Sequence, residues 1–99
     1  MSRKQPPNLR ADMVVAALRV ARRVGYAHMT RDAIATEAGC SAGQVTIVLG
    51  TMPQLRRSVM RAAVQARDLP VIAQGLAARD ANARSAPDDV KRMALQGLL

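Results

Sequence analysis

Side chains able to do covalent chemistry are few in this chain of 99 residues, and they are scattered. The single histidine, His28, the single cysteine, Cys40, and the carboxylates Asp12, Asp32, Glu37, Asp68, Asp80, Asp88 and Asp89 show no Ser/His/acid or Cys/His grouping and no phosphate-cradling glycine loop. Only Asp88 and Asp89 adjoin, and a helix start explains an acidic pair, because the dipole there favours negative charge. One histidine and one cysteine cannot complete a usual zinc ligand set. The residues therefore point away from an enzyme and away from any metal or cofactor. His28 reads as a solvated or capping loop residue, and Cys40 as a small apolar filler.

What the chain does carry is cationic chemistry. Fifteen Lys and Arg face seven Asp and Glu, a formal charge of +8. Residues 1–67 hold eleven basic and three acidic residues, whereas residues 68–99 hold four of each. A basic segment joined to a neutral one suits a part that grips a polyanion and a part with another task. The uncharged stretch AGQVTIVL at 42–49 holds two side chains able to hydrogen-bond base edges. There Gln44 can pair with adenine, Thr46 can donate or accept, and Ile47 can touch a thymine methyl.

Helices must position these groups. Aromatics are limited to Tyr26, so the core has to be built from Leu, Val, Ile, Met and Ala, which favours helices over sheets. Asn8 is a cap for a first helix whose residues Met13, Ala17, Val20, Ala21 and Val24 recur at helical spacing, with Arg19, Arg22 and Arg23 on another face as phosphate contacts or a solvated stripe. Gly25 ends it. Thr30 caps a helix over 31–38, stopped by Gly39. Ser41 caps a helix over 42–49, closed by Gly50, and Thr51 caps a fourth with Pro53 in its first turn, running to about Arg67. The β-prone run Val45–Leu49 is assigned to helix because of these flanking caps. Leu69-Pro70 marks a break before a fifth helix containing Val71, Ile72, Leu76 and Ala77. Asp80 to Pro87 reads as a linker, and Ser85 with Asp88 as a capping box for a last helix with Val90, Met93, Ala94, Leu95 and Leu98.

The stretch Arg31–Leu49 meets the needs of two helices crossing at a sharp turn. Ala35 is small where the second helix approaches, Gly39 can take positive φ, Cys40 is apolar after the turn, Ser41 caps, and Ile34 and Ala38 face Val45 and Val48. Tyr26 is expected to anchor this pair.

Residues 13–60 resemble the N-terminal DNA-binding region of TetR-type repressors. The resemblance is carried by AALRVARRVGYAHMTRDAIATEAGCSAG and LGTMPQLRRSVM, with Gly25-Tyr26, Thr30, Ile34-Ala35, Ala38-Gly39, Ser41, Gly43, Gly50 and Leu55 on the family's pattern. It implies a helix-turn-helix three-helix head with a recognition helix at 42–49; with the helices read from spacing and caps, the expected chain is all-α, with a longer fourth helix and, where the family has a much longer C-terminal domain, two short C-terminal helices. The candidate DNA-binding residues on this head are Thr30, Arg31, Ser41, Gln44, Thr46, Ile47, Arg56 and Arg57. Where the family usually has an aromatic residue this chain has Thr46, and where it usually has a basic residue it has Met52; Arg56 and Arg57 are the candidates to replace that cation. With VIAQGLAARD after the fourth helix, the short chain also resembles small regulators carried by prophages.

These readings divide the chain into a basic arm at 1–8 that could enter a minor groove through Arg3 and Lys4, a DNA-binding unit at 9–67, and a dimerisation segment at 68–99 too short to enclose a ligand pocket. The expected function is a sequence-specific regulator of transcription, most simply a repressor, binding double-stranded DNA as a homodimer. The alternative is a protein-binding adaptor or inhibitor that turns its uncharged third helix toward another protein. No signal peptide and no membrane-spanning run is read from the sequence, and a single cysteine fits a cytoplasmic setting.

Overall fold

The computed structural model describes residues 9–97. The arm at 1–8, the capping role given to Asn8, and Leu98 lie outside the described residues. Within them the chain is all-α, in the order α1 (Leu9–Val24), a single 3-10 turn (Tyr26–His28), α2 (Arg31–Ala38), α3 (Ala42–Leu49), α4 (Met52–Ala66), α5 (Leu69–Ala77), α6 (Ala81–Arg84) and α7 (Asp88–Gln96).

Capping chemistry places most of these boundaries. The hydroxyls of Thr30, Ser41 and Thr51 accept the backbone N–H groups of Ala33, Gln44 and Gln54, the last in a capping box with the Gln54 side chain. Gly39 ends α2 in the left-handed region, at φ 72 and ψ 35. Its N–H and that of Cys40 return to Thr36 O and Ala35 O, which satisfies the last carbonyls and aims α3 away from α2. A side chain at Gly39 would meet nothing within 4 Å, so this glycine is required by its backbone angle alone.

The same closing motif recurs twice without glycine. Arg67 and Arg79 sit at φ 53 and φ 58 after α4 and α5. The aspartate after each then caps the next helix: Asp68 accepts from Val71 N–H at the start of α5, and Asp80 from Asn82 and Ala83 N–H at the start of α6. The expected linker at 80–87 is thus a correction. It holds α6 and two buried residues, Ala83 and Ala86, so three helices rather than two follow α4. The expected Ser85–Asp88 capping box is also absent: α7 begins after Pro87 with no side-chain cap, and the Ser85 hydroxyl donates to Ala81 O instead.

The packing makes one core. α1 lies against α2, α4 and α5, while α3 rests on α2 and on edges of α1 and α4. α5 and α6 cover α4, and α7 packs chiefly on α5. Met13, Val20, Ile34, Val45, Leu55, Val59 and Met60 belong to the same buried cluster as Val71, Ile72 and Val90. Close contact of α4, α5 and α6 requires Gly75, where a Cβ would strike the Met60 methyl and come within 2.9 Å of Ala83 Cβ. Two residues placed on the core by spacing are not in it: Val24, at the end of α1, and Ala38, beside the turn, are exposed. Each is the last helical residue of its element, where the helix leaves its neighbour.

Polar bridges tie residues 68–80 to α1 and to the turn that follows it. The Tyr26 ring is buried, and its hydroxyl lies 2.8 Å from Asp80 Oδ2 and 3.1 Å from Arg56 O. Its one proton is best spent on the carboxylate. Burial first, then Asp80, pushes the phenol well above its ordinary pKa. Tyr26 N–H donates to Gln74 Oε1. Arg22 Nε donates to Asp68, 2.6 Å away, whose side chain is fully buried.

Candidate nucleic-acid interface

α3 presents one face to the protein and one to solvent. Val45 and Leu49 are buried and Ala42 and Val48 half-buried, so Gly43, Thr46 and Ile47 point outward, with half-buried Gln44 at their flank. Ile47 is 83% exposed, the most exposed large apolar residue described. The Gln44 side-chain amide makes no hydrogen bond among the described residues and is free to bond a partner. Thr46 is less available: its hydroxyl donates to Ala42 O at 3.3 Å, which leaves only acceptor capacity. Ser41 and Thr30 spend an acceptor lone pair on their caps, at 3.1 Å each, and keep an O–H to donate outward.

A shallow groove runs from the tip of α3 along α4. Arg10, Ile47, Gln54, Arg57 and Arg61 line it together with Ser58 and the α3–α4 corner, and every charged side chain in it is an arginine. The two candidates for the missing basic residue therefore separate. Arg57 borders the groove beside Ile47, whereas Arg56, one residue earlier and about 100° around the helix, lies on the side facing Tyr26, whose hydroxyl meets its carbonyl. Arg31 is not part of this lining. It stands at the first position of α2 without an ion pair among the described residues, and its Nε is buried with no hydrogen-bond partner.

Two of the three arginines read as a phosphate face on α1 have structural partners. Arg22 holds buried Asp68, and Arg23 pairs with Glu37 at 2.8 Å. Only Arg19 of the three is without an ion pair among the described residues.

The sequence reading missed Arg10. Its Nη1 donates to Val48 O and its Nη2 to Ser58 Oγ, both at 2.8 Å, so one guanidinium pins the C-terminal end of α3 to α4. It also supplies positive charge where the last carbonyls of α3 are negative. Nothing local signals this, because the partners lie 38 and 48 residues away. Arg61, also missed, sits one helical turn beyond Arg57, a spacing the sequence did offer.

The large apolar residues of the expected dimerisation segment at 68–99 are mostly covered within the chain. Ile72 and Val90 are buried and Leu76 is half-buried, leaving Met93 and Leu95 exposed at 36% and 48%. They face different ways: Met93 adjoins Leu69, Pro70 and Ala73 in an uncharged hollow, whereas Leu95 adjoins Leu76 among basic residues. Among the described residues no group of three His, Cys, Asp or Glu could share a metal ion, and no helix is long and apolar enough to cross a membrane. No family model, no curated protein and no solved structure matches the chain.

Proposed function

We propose that the chain is a sequence-specific double-stranded DNA-binding regulator in which α2, the Gly39–Ser41 turn and α3 act as a helix-turn-helix. The observation that carries this reading is the surface around α3. An outward face of Gln44, Thr46 and Ile47 stands beside a groove whose charged lining is all arginine. An uncharged helix can enter the major groove and read adenine and thymine while arginines on its flank neutralise phosphate. Thr30 and Arg31, at the free N-terminus of α2, add a second place for a phosphate. Residues 13–60 carry the resemblance to TetR-type heads within a DNA-binding unit at 9–67, and repression follows from occupying a promoter.

One such head reads only a few base pairs, so a homodimer on half-sites about 34 Å apart gives useful selectivity. The hollow at Leu69, Pro70, Ala73 and Met93 suits a second copy, because no charged side chain lines it and two chains of +8 can meet there without like charges in contact.

The experiment is selection of a duplex from a randomised pool, followed by anisotropy titrations of the full chain over a range of salt. Log affinity should fall linearly with log salt, by about 0.9 per phosphate contacted. Arg57→Ala should weaken all duplexes alike and reduce that slope by about one. Gln44→Ala should cost about 1–3 kcal/mol on the selected site and little on random DNA. If Gln44→Ala and Ile47→Ala both leave site preference unchanged, α3 is not the reader. The protein-binding adaptor is then favoured, for which the exposed, uncharged α3 is the matching observation.

A further inference from the structure

By sequence, residues 68–99 are electrically neutral; in space their opposite charges are separated. All four basic residues after Arg67, namely Arg79, Arg84, Lys91 and Arg92, line one open groove between the end of α5, α6 and α7. Leu76 and Leu95 also line it, so it has apolar as well as charged walls. The four acids of the same segment are elsewhere or neutralised. Asp68 is buried under Arg22, Asp80 is held by Tyr26 and the α6 N-terminus, and Asp89 is not in the lining. Asp88 alone reaches the groove, 3.3 Å from Lys91 Nζ, which also donates to Arg84 O. Three guanidinium groups, those of Arg79, Arg84 and Arg92, have no carboxylate partner among the described residues. Asp88, Lys91, Arg92 and Leu95 share one face of α7 at helical spacing, and Arg79 is held beside the groove in a left-handed conformation that an arginine rarely adopts.

We propose that this groove docks an acidic amphipathic helix of a partner protein, its apolar side chains on Leu76 and Leu95 and its carboxylates on the three free arginines. Charge decides between occupants. A second copy would bring the same four cations face to face across a two-fold axis, a repulsive arrangement, whereas an acidic segment is complementary. A phosphate backbone would leave the two leucines without a partner. The proposal is independent of the reading of α3, which shares no residue with this groove.

The test uses the full chain, isotope-labelled, titrated in turn with a synthetic Leu/Glu amphipathic helix, its Leu/Gln and Leu/Lys counterparts, and a random-sequence duplex. The Leu/Glu peptide should move the amide signals of Leu76, Arg79, Lys91 and Leu95, and the Leu/Gln and Leu/Lys peptides should bind more weakly. Arg79→Gly removes a cation while relieving its left-handed strain; combined with Arg92→Glu it should keep the helical circular dichroism of the parent chain and weaken the Leu/Glu peptide at least about tenfold. Arg57→Glu, in the groove beside α3, should leave that affinity unchanged. Equal binding of the Leu/Glu and Leu/Gln peptides, shifts confined to α3, or movement of the same amides by the duplex would each overturn the proposal.

Discussion

Tyr26 shows how much one side chain can carry in a small helical protein. It is the sole aromatic residue, its ring is buried, and its polar groups reach α4, α5 and the start of α6. Its phenol is held above the ordinary value of about 10, so the folded state keeps the proton more tightly than the unfolded chain does. The associated stability is complete below about pH 10 and falls as pH rises beyond it, because only the unfolded state readily loses the proton. Ultraviolet difference absorbance reads this residue without interference, as Trp and Phe are absent. Phenolate should appear together with loss of helical circular dichroism; ionisation near pH 10 with the helices intact would contradict the buried Tyr26–Asp80 contact. Arg22 and Arg23 make a second lesson at this scale. Adjacent on α1 and alike in sequence, one satisfies a fully buried carboxylate and the other a partly exposed one, where screening leaves an ion pair worth little.

The helices were legible where their ends carry side-chain chemistry. Thr30, Gly39, Ser41, Gly50 and Thr51 punctuate the chain, and α2, α3 and the start of α4 fall where those residues put them. The β-prone run Val45–Leu49 is helical because its caps and its burial against α2 outweigh local preference. α4 and α5 also end where expected, at about Arg67 and after Ala77, although non-glycine residues close them; the miss was α6. Arg67 and Arg79 adopt positive φ because the aspartate that follows each is committed to capping the next helix. Asp68 with Pro70 two residues on is a cap signature that could have been recognised; α6, at four residues, has no periodicity to find. Arg67→Gly removes a left-handed strain of about 1–2 kcal/mol at the price of greater chain entropy when unfolded. The expected result in urea denaturation is a gain of roughly 0.5–1 kcal/mol, with Arg67→Ala giving none.

For the whole molecule, α5, α6 and α7 are not an appendage to a separable head. Val71, Ile72 and Val90 share a core with Val20, Tyr26 and Met60, so removing residues 69–99 would bare the far side of α1 and α4 and strand Tyr26 without Gln74 or Asp80. A truncated chain ending at Asp68 should therefore unfold, rather than persist as a weakly binding monomer; circular dichroism and thermal melting report this directly. A cooperative melt in the truncated chain would show that residues 9–67 fold alone.

Composition and local punctuation sufficed for the all-α class, for the order of the first four helices, and for the outward placement of Thr46 and Ile47. These follow from contacts within a few residues, which a linear pattern records. The grouping of Arg10, Arg57 and Arg61 around α3, the loss of Arg22 and Arg23 to ion pairs, and the basic groove formed from an electrically neutral segment follow from contacts across the fold. Coulomb energy depends on separation in space, and net charge along a segment carries no information about which face its charges share.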